Sequence, residues 1–209
     1  MMDTQYSISP AHYNDIPSDI LQGKKTILEF GPATGINHLI SKHRNFFINN
    51  NTDGRYLGVD LMPYEQRYLT IEQGDIRHFR TSQQFDIVIA LHVLEHIELV
   101  CWPDVLGRLK SWVNPGGHLI IGTPCNEPPH TSELHLVSRI TPELVKKFLP
   151  DAQVQRIRTK YSFAEDGARF GFALLRYIKR WLTRHPYVRT YGRLIAIWKN
   201  ETVKEGEEP

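Results

Sequence analysis

Glu29, Gly31 and Gly35 stand in the stretch Thr26-Ile27-Leu28-Glu29-Phe30-Gly31-Pro32-Ala33-Thr34-Gly35, where a carboxylate and bare backbone can meet one small ligand. A short apolar run ends in the acid, passes through a loop of small residues and reaches a helix start at Ile36. A strand feeding a small-residue turn and a helix is how α/β proteins build a nucleotide site. Without side chains, Gly31 and Gly35 let a ligand lie against the backbone. A dinucleotide fingerprint needs glycine at its first, third and sixth positions. Here those positions hold Gly31, Ala33 and Ile36. Pro32 has no N–H, which removes a donor from any phosphate cradle. The loop therefore suits a nucleoside-like ligand without a pyrophosphate and disfavours a nicotinamide oxidoreductase. A second set lies in His92-Val93-Leu94-Glu95-His96, where residues 92, 95 and 96 can share one face of a helical turn.

The elements around these sets must bring them together. Short apolar runs alternate with helical patterns, which is the rhythm of βαβ units and a parallel sheet. Seven strands are expected near Thr26–Phe30, Arg55–Asp60, Tyr68–Glu72, Phe85–Leu91, His118–Thr123, Val154–Thr159 and Leu194–Lys199. Helices are expected near Ile36–His43, Val100–Val113 and Pro142–Phe148. The last has a clear start, with Thr141 as N-cap, Pro142 in the first turn and Glu143 beside it. Asn114-Pro115-Gly116-Gly117 reads as a turn.

The chain of 209 residues reads as one domain over 1–209, with an N-terminal segment 1–23, a helical basic insertion 160–193 before the last strand and a flexible tail 201–209. Cys101 and Cys125 show neither metal spacing nor a disulfide framework, so both are expected as free thiols in a reducing compartment. No signal peptide is visible at Met1, and no apolar run approaches the ~18–20 residues of a membrane span. A cytoplasmic protein is the expectation. Charge is unevenly spread: residues 1–100 carry a balance of −4 and residues 101–209 a balance of +6. Between Gly167 and Asn200 the basic residues Arg169, Arg176, Lys179, Arg180, Arg184, Arg189, Arg193 and Lys199 meet no acid in sequence. Such asymmetry points to an anionic partner, substrate or membrane surface.

Several motifs occur in a consistent order over about residues 27–148. The loop has the form Glu-x-Gly-x-x-Thr-Gly. Asp60 ends Tyr56-Leu57-Gly58-Val59-Asp60, and Gly74-Asp75-Ile76 follows the third strand. Phe85-Asp86-Ile87-Val88-Ile89-Ala90-Leu91 leads into His92–His96, and Leu109-Lys110 precedes Asn114-Pro115-Gly116-Gly117-His118-Leu119. Thr123-Pro124 and Thr141-Pro142-Glu143-Leu144 complete the series. Together they resemble the class I S-adenosylmethionine-dependent methyltransferases, although that family usually has glycine where Ala33 stands. The resemblance implies a Rossmann-like, doubly wound, mostly parallel sheet of seven strands. It also implies S-adenosylmethionine as cofactor and S-adenosylhomocysteine as product.

The resemblance also assigns roles. Glu29 would hold the cationic methionine end, and Gly31, Ala33 and Gly35 would give backbone contact. Asp60 with Leu61 would take the ribose, Asp75 and Ile76 the adenine, and Leu91 would close the methyl-facing strand end. Methyl transfer displaces an already activated group, so the protein mainly aligns the acceptor and excludes water. A hydroxyl acceptor needs a base. The candidates are His92, Glu95, His96, His130 and His135, with His92 best placed and an ordinary pKa of about 6.5. Some relatives, the ubiquinone-pathway O-methyltransferases and the small-RNA 2′-O-methyltransferases, carry Glu-x-x-Glu-His here and bind a divalent metal with it. This chain keeps Glu95 and His96 but has His92 for the first Glu, with His135 as a later ligand. Such donors would take zinc, iron or manganese more readily than magnesium. In metal-free members the same Glu and His pack the loop.

The insertion holds Phe170, Leu174, Tyr177, Ile178, Trp181 and Leu182 at helical spacing, with Arg169, Arg176, Arg180 and Arg184 on another face. It can pack on the core, cover the acceptor site, or lie through residues 169–184 on an anionic membrane at the inner face. No nucleic-acid module is recognisable. Together these features favour O-methylation of a saccharide or glycolipid-type acceptor. The alternatives are another small molecule, a metal-assisted RNA 2′-hydroxyl, or a non-catalytic binding module.

Overall fold

A computed structural model describes residues 15–21, 26–32, 56–62, 70–125, 136–137, 140–158 and 192–201. They form a short helix α1 (Ser18–Leu21) and strands β1 (Ile27–Phe30), β2 (Tyr56–Asp60), β3 (Thr70–Gln73) and β4 (Phe85–Leu91). Two 3-10 turns, Leu94–His96 and Leu99–Cys101, lead into helix α2 (Trp102–Ser111). Strand β5 (Val113–Cys125), helix α3 (Pro142–Phe148) and strands β6 (Gln153–Arg158) and β7 (Gly192–Lys199) follow. The sheet order is β3-β2-β1-β4-β5-β7-β6. The first five strands of that order run parallel, and β7 is antiparallel to both β5 and β6. The α/β class, the seven strands and the doubly wound order match the expectation. The helix expected at Ile36–His43 and residues 160–191 of the expected insertion lie outside the described residues, while its last two, Gly192 and Arg193, already belong to β7.

Both faces of the sheet are covered, which is why its strands read as nearly continuous apolar runs. Side chains alternate between the faces. Leu28, Phe30, Val88, Ala90, Leu119 and Ile121 pack with Trp102, Val105, Leu106 and Leu109 of α2. Ile27, Tyr56, Ile87, Ile89, Leu91 and Ile120 pack with Ile16 and Leu21 on the opposite face. Arg193 of β7 pairs with Asp15 at 3.0 Å, tying the N-terminal segment to the far half of the sheet. The acid-free reading of the basic stretch therefore does not extend to Arg193.

Pro103 sets the start of α2 two residues later than Val100. It lacks an N–H and is tolerated only in a first turn. Thr141 caps α3 as expected, its Oγ1 accepting from the Leu144 N–H at 3.2 Å. The segment Asn114–Gly117 is not a turn between elements but a bulge inside β5. Val113 pairs with Phe85 and His118 with Ile87, so four residues loop out opposite Asp86. Gly116 supplies the φ of +73 that the excursion needs. Asn114 donates to Asp86 Oδ1 at 3.1 Å. Asn200 clamps the bulge by donating its side-chain amide to the Val113 carbonyl at 2.9 Å.

Candidate functional site

The carboxyl ends of β1 to β4 open onto one cleft. It lies where the strand order reverses between β1 and β4, the place where open α/β sheets bind ligands. Phe30 lines it from below, stacked on Trp112 of the α2 terminus at 5.7 Å and edge-on to Phe79 at 5.6 Å. This aromatic trio fixes the cleft wall against the helix layer.

Gly31 follows β1 with φ +67, and its N–H donates to the Val59 carbonyl at 2.9 Å. A Cβ there would stand 2.8 Å from Val93 Cγ2, so the absent side chain lets the β1 and β4 loops meet. Asp60 ends β2, where its Oδ1 accepts from the Met62 N–H at 3.2 Å and its carbonyl accepts from the Gly74 N–H at 2.8 Å. Leu61 lines the cleft, and both it and Met62 are more than 60% exposed, at 62% and 64%. Leu61 is a large apolar side chain left uncovered at a cleft, a surface that a ligand can bury.

Asp75 and Ile76 both line the cleft. Arg77, which the motifs did not single out, joins them. Its NH2 lies 2.6 Å from Asp75 Oδ2 and its Nε 3.1 Å from Oδ1, a two-pronged clamp. The hydrogen bonds from Arg77 hold the Asp75 carboxyl below the usual carboxylate range. Arg108 of α2 pins the turn, donating to the carbonyl of Arg77 at 2.9 Å. An arginine two residues after the acid was the sequence signal for this clamp.

His92 follows β4 in the left-handed region, φ 57, with its N–H donating to the Gly122 carbonyl at 2.8 Å. Its Nδ1 lies 3.0 Å from Oε1 of Glu95, which is fully buried in the first 3-10 turn. Among the described residues, the other oxygen of that carboxylate, Oε2, has no hydrogen-bond partner. The Glu95 carbonyl accepts from the Val137 N–H at 3.1 Å, so the turn is also held from outside. His96 is exposed and lines the same cleft as His92. Among the described residues no group of three His, Cys, Asp or Glu side chains is placed to hold a metal ion. His92 and Glu95 bond to each other instead of converging on a common point. That pair of donors, so arranged, does not present a common metal position.

Glu29 and Leu91 do not line this cleft. The two-residue alternation packs the Leu91 side chain with Ile87 and Ile89 on the opposite face of the sheet. Glu29 is buried, and the Tyr56 hydroxyl donates to its Oε2 at 2.5 Å. Burial pushes the Glu29 carboxyl up to about 7, the Asp60 charge adds to the rise, and the Tyr56 hydrogen bond opposes it. Ala33, Gly35, His130 and His135 lie outside the described residues.

A family model described as a methyltransferase domain matches residues 12–191. The chain belongs to the class I S-adenosylmethionine-dependent methyltransferases. No curated protein matches this methyltransferase at a significant level. Its fold is shared with a SAM dependent methyltransferase from Archaeoglobus fulgidus at 14% identity and TM-score 0.62, covering 91% of this chain and 92% of that one. N-methyltransferase NodS from Bradyrhizobium japonicum WM9, in complex with S-adenosyl-l-homocysteine, matches at 16% identity and TM-score 0.53, covering 86% and 80%. 1,6-Didemethyltoxoflavin-N1-methyltransferase from Burkholderia thailandensis, with bound 1,6-didemethyltoxoflavin and S-adenosylhomocysteine, matches at 13% identity and TM-score 0.57, covering 88% and 74%. The methyltransferase uses S-adenosylmethionine as its methyl donor. No helix among its described residues is long and apolar enough to cross a membrane.

Proposed function

We propose that this methyltransferase transfers the methyl group to an oxygen of a saccharide or glycolipid-type acceptor. The observation that carries the reading is the His92 imidazole at the cleft end of β4, beside a buried carboxylate. A hydroxyl is a poor nucleophile until its proton is taken, and an imidazole is the side chain best suited to take it near neutral pH.

The cleft supports a cofactor pose. Asp60 presents a carboxylate that fits two ribose hydroxyls, and Leu61 offers an apolar surface for the adenosyl group. Asp75 and the Ile76 backbone fit adenine, with the Arg77 guanidinium forming part of the same wall. Glu29, on the other side of β1, is the acid for the cationic methionine end.

The basic stretch 169–184 favours an acceptor on an anionic carrier and a peripheral position at the inner membrane face. Co-sedimentation with vesicles containing anionic lipid at low salt tests that part, and no binding removes it. The acceptor is tested by a labelled-methyl assay against sugars, glycolipids, catechols, RNA and amines. The amines are included because NodS carries the name of an N-methyltransferase. Labelling of an amine alone would overturn the oxygen reading.

A further inference from the structure

We propose that Glu95 is the positioning residue of a proton-accepting pair, holding His92 so that its Nε2 takes the acceptor's proton. The inference deepens the hydroxyl-acceptor reading above and rests on it.

Three observations converge. The first is backbone strain. His92 sits at φ 57, a left-handed backbone that a residue with a side chain keeps only where its surroundings fix it. Its N–H bond to Gly122 and its ring contact with Glu95 fix it from two sides. The second is that Glu95 is fully buried yet, among the described residues, leaves Oε2 without a partner. A group that only packed the loop would be better served by a neutral side chain, because an unmet buried acceptor is costly. The same carboxylate interacts strongly with a cation in its low-dielectric surroundings. The third is reach: His92 lines the cleft together with Asp60, Asp75, Arg77 and His96.

A carboxylate accepts only, so Nδ1 of His92 must carry the hydrogen that faces Oε1, which leaves the lone pair of the neutral ring on Nε2. During transfer the acceptor oxygen bonds to the methyl carbon as the carbon–sulfur bond breaks, and that electron pair stays on sulfur. The hydroxyl proton moves to Nε2, giving an imidazolium beside Glu95, and later leaves to water.

Long-range 15N–1H NMR of the full chain with S-adenosylhomocysteine, above the titration of its histidines, reads the tautomer directly. His92 is assigned by comparison with His92→Asn. The expected result is hydrogen on Nδ1 in the unaltered protein and a shift toward Nε2 in Glu95→Ala, with S-adenosylhomocysteine affinity within twofold. Hydrogen on Nε2 in the unaltered protein overturns the proposal, and that measurement needs no variant to fold. Glu95→Gln keeps an acceptor but loses the charge. With the hydroxyl compound that the acceptor panel selects, it should lower kcat at least tenfold at unchanged KM for S-adenosylmethionine, and equal kcat also overturns the proposal. A hydroxyl acceptor that turns over while His92 carries hydrogen on Nε2 sinks the pair alone. Labelling of amines only sinks the acceptor reading instead.

Discussion

The Tyr56 hydroxyl reaches along β2 to donate to Glu29 Oε2 at 2.5 Å, although Tyr56 itself is in register with Ile27. Gly58, the residue opposite Glu29, makes the reach possible. A Cβ there would stand 3.2 Å from the Tyr56 ring and 2.4 Å from Ile71. The pair therefore depends on a glycine in the middle of a strand, where glycine otherwise weakens the sheet.

With its carboxyl raised to about 7 in the fold, Glu29 makes stability depend on pH. Between about 4.5 and 7 the unfolded chain has released this proton and the folded chain still holds it, so stability falls as pH rises through that window. The loss reaches about 3 kcal/mol. Glu29→Gln should flatten the dependence and be the more stable protein at pH 8, as read by urea denaturation at pH 5 and pH 8. The same variant should bind S-adenosylmethionine more weakly.

Asp60→Ala should weaken S-adenosylhomocysteine binding by about 1–3 kcal/mol, the worth of charge-assisted bonds to the ribose. Calorimetric titration reads it. Unchanged affinity would mean that the ribose lies elsewhere.

Gly31→Ala should destabilise the protein by about 1–2 kcal/mol from the left-handed backbone alone. Contact with Val93 adds to this, because the new Cβ would lie 2.8 Å from Val93 Cγ2. Adding Val93→Ala should recover the contact part and leave the backbone part. Denaturation midpoints of the two single variants and the double variant separate them.

Asp86 is a control for the scaffold. It accepts from the Thr26 N–H at 3.1 Å and from Asn114 at 3.1 Å, at the end of β1 and β4 away from the cleft. Asp86→Ala should cost about 1–3 kcal/mol of stability by leaving donors unmet, with cofactor affinity unchanged.

Local rules carried the sequence reading well. The Thr141 cap, the apolar run of β4 and the acid that ends β2 are decided by near neighbours, and each stands where the sequence placed it. Pairings between distant residues were not legible: Tyr56 meets Glu29 across two strands, and Arg193 meets Asp15 from 178 positions away. The Asn114–Gly117 bulge failed for a related reason. Its residues have turn chemistry, but Asp86 and Asn200 hold them inside a strand. Arg77 escaped because it acts through the acid beside it.

The last strand in the chain, β7, is an interior one, lying between β5 and β6. A chain growing from the ribosome can therefore form the parallel half of the sheet early, while the free edge of β5 stays open until Gly192–Lys199 emerges. Such an edge is a template for mispairing with other chains. Among the described residues β6 pairs with β7 alone, so it waits for the same moment. Completion of the sheet and closure of the Asp15–Arg193 pair are thus one late, long-range event, and it sets the period during which the nascent protein is vulnerable to aggregation.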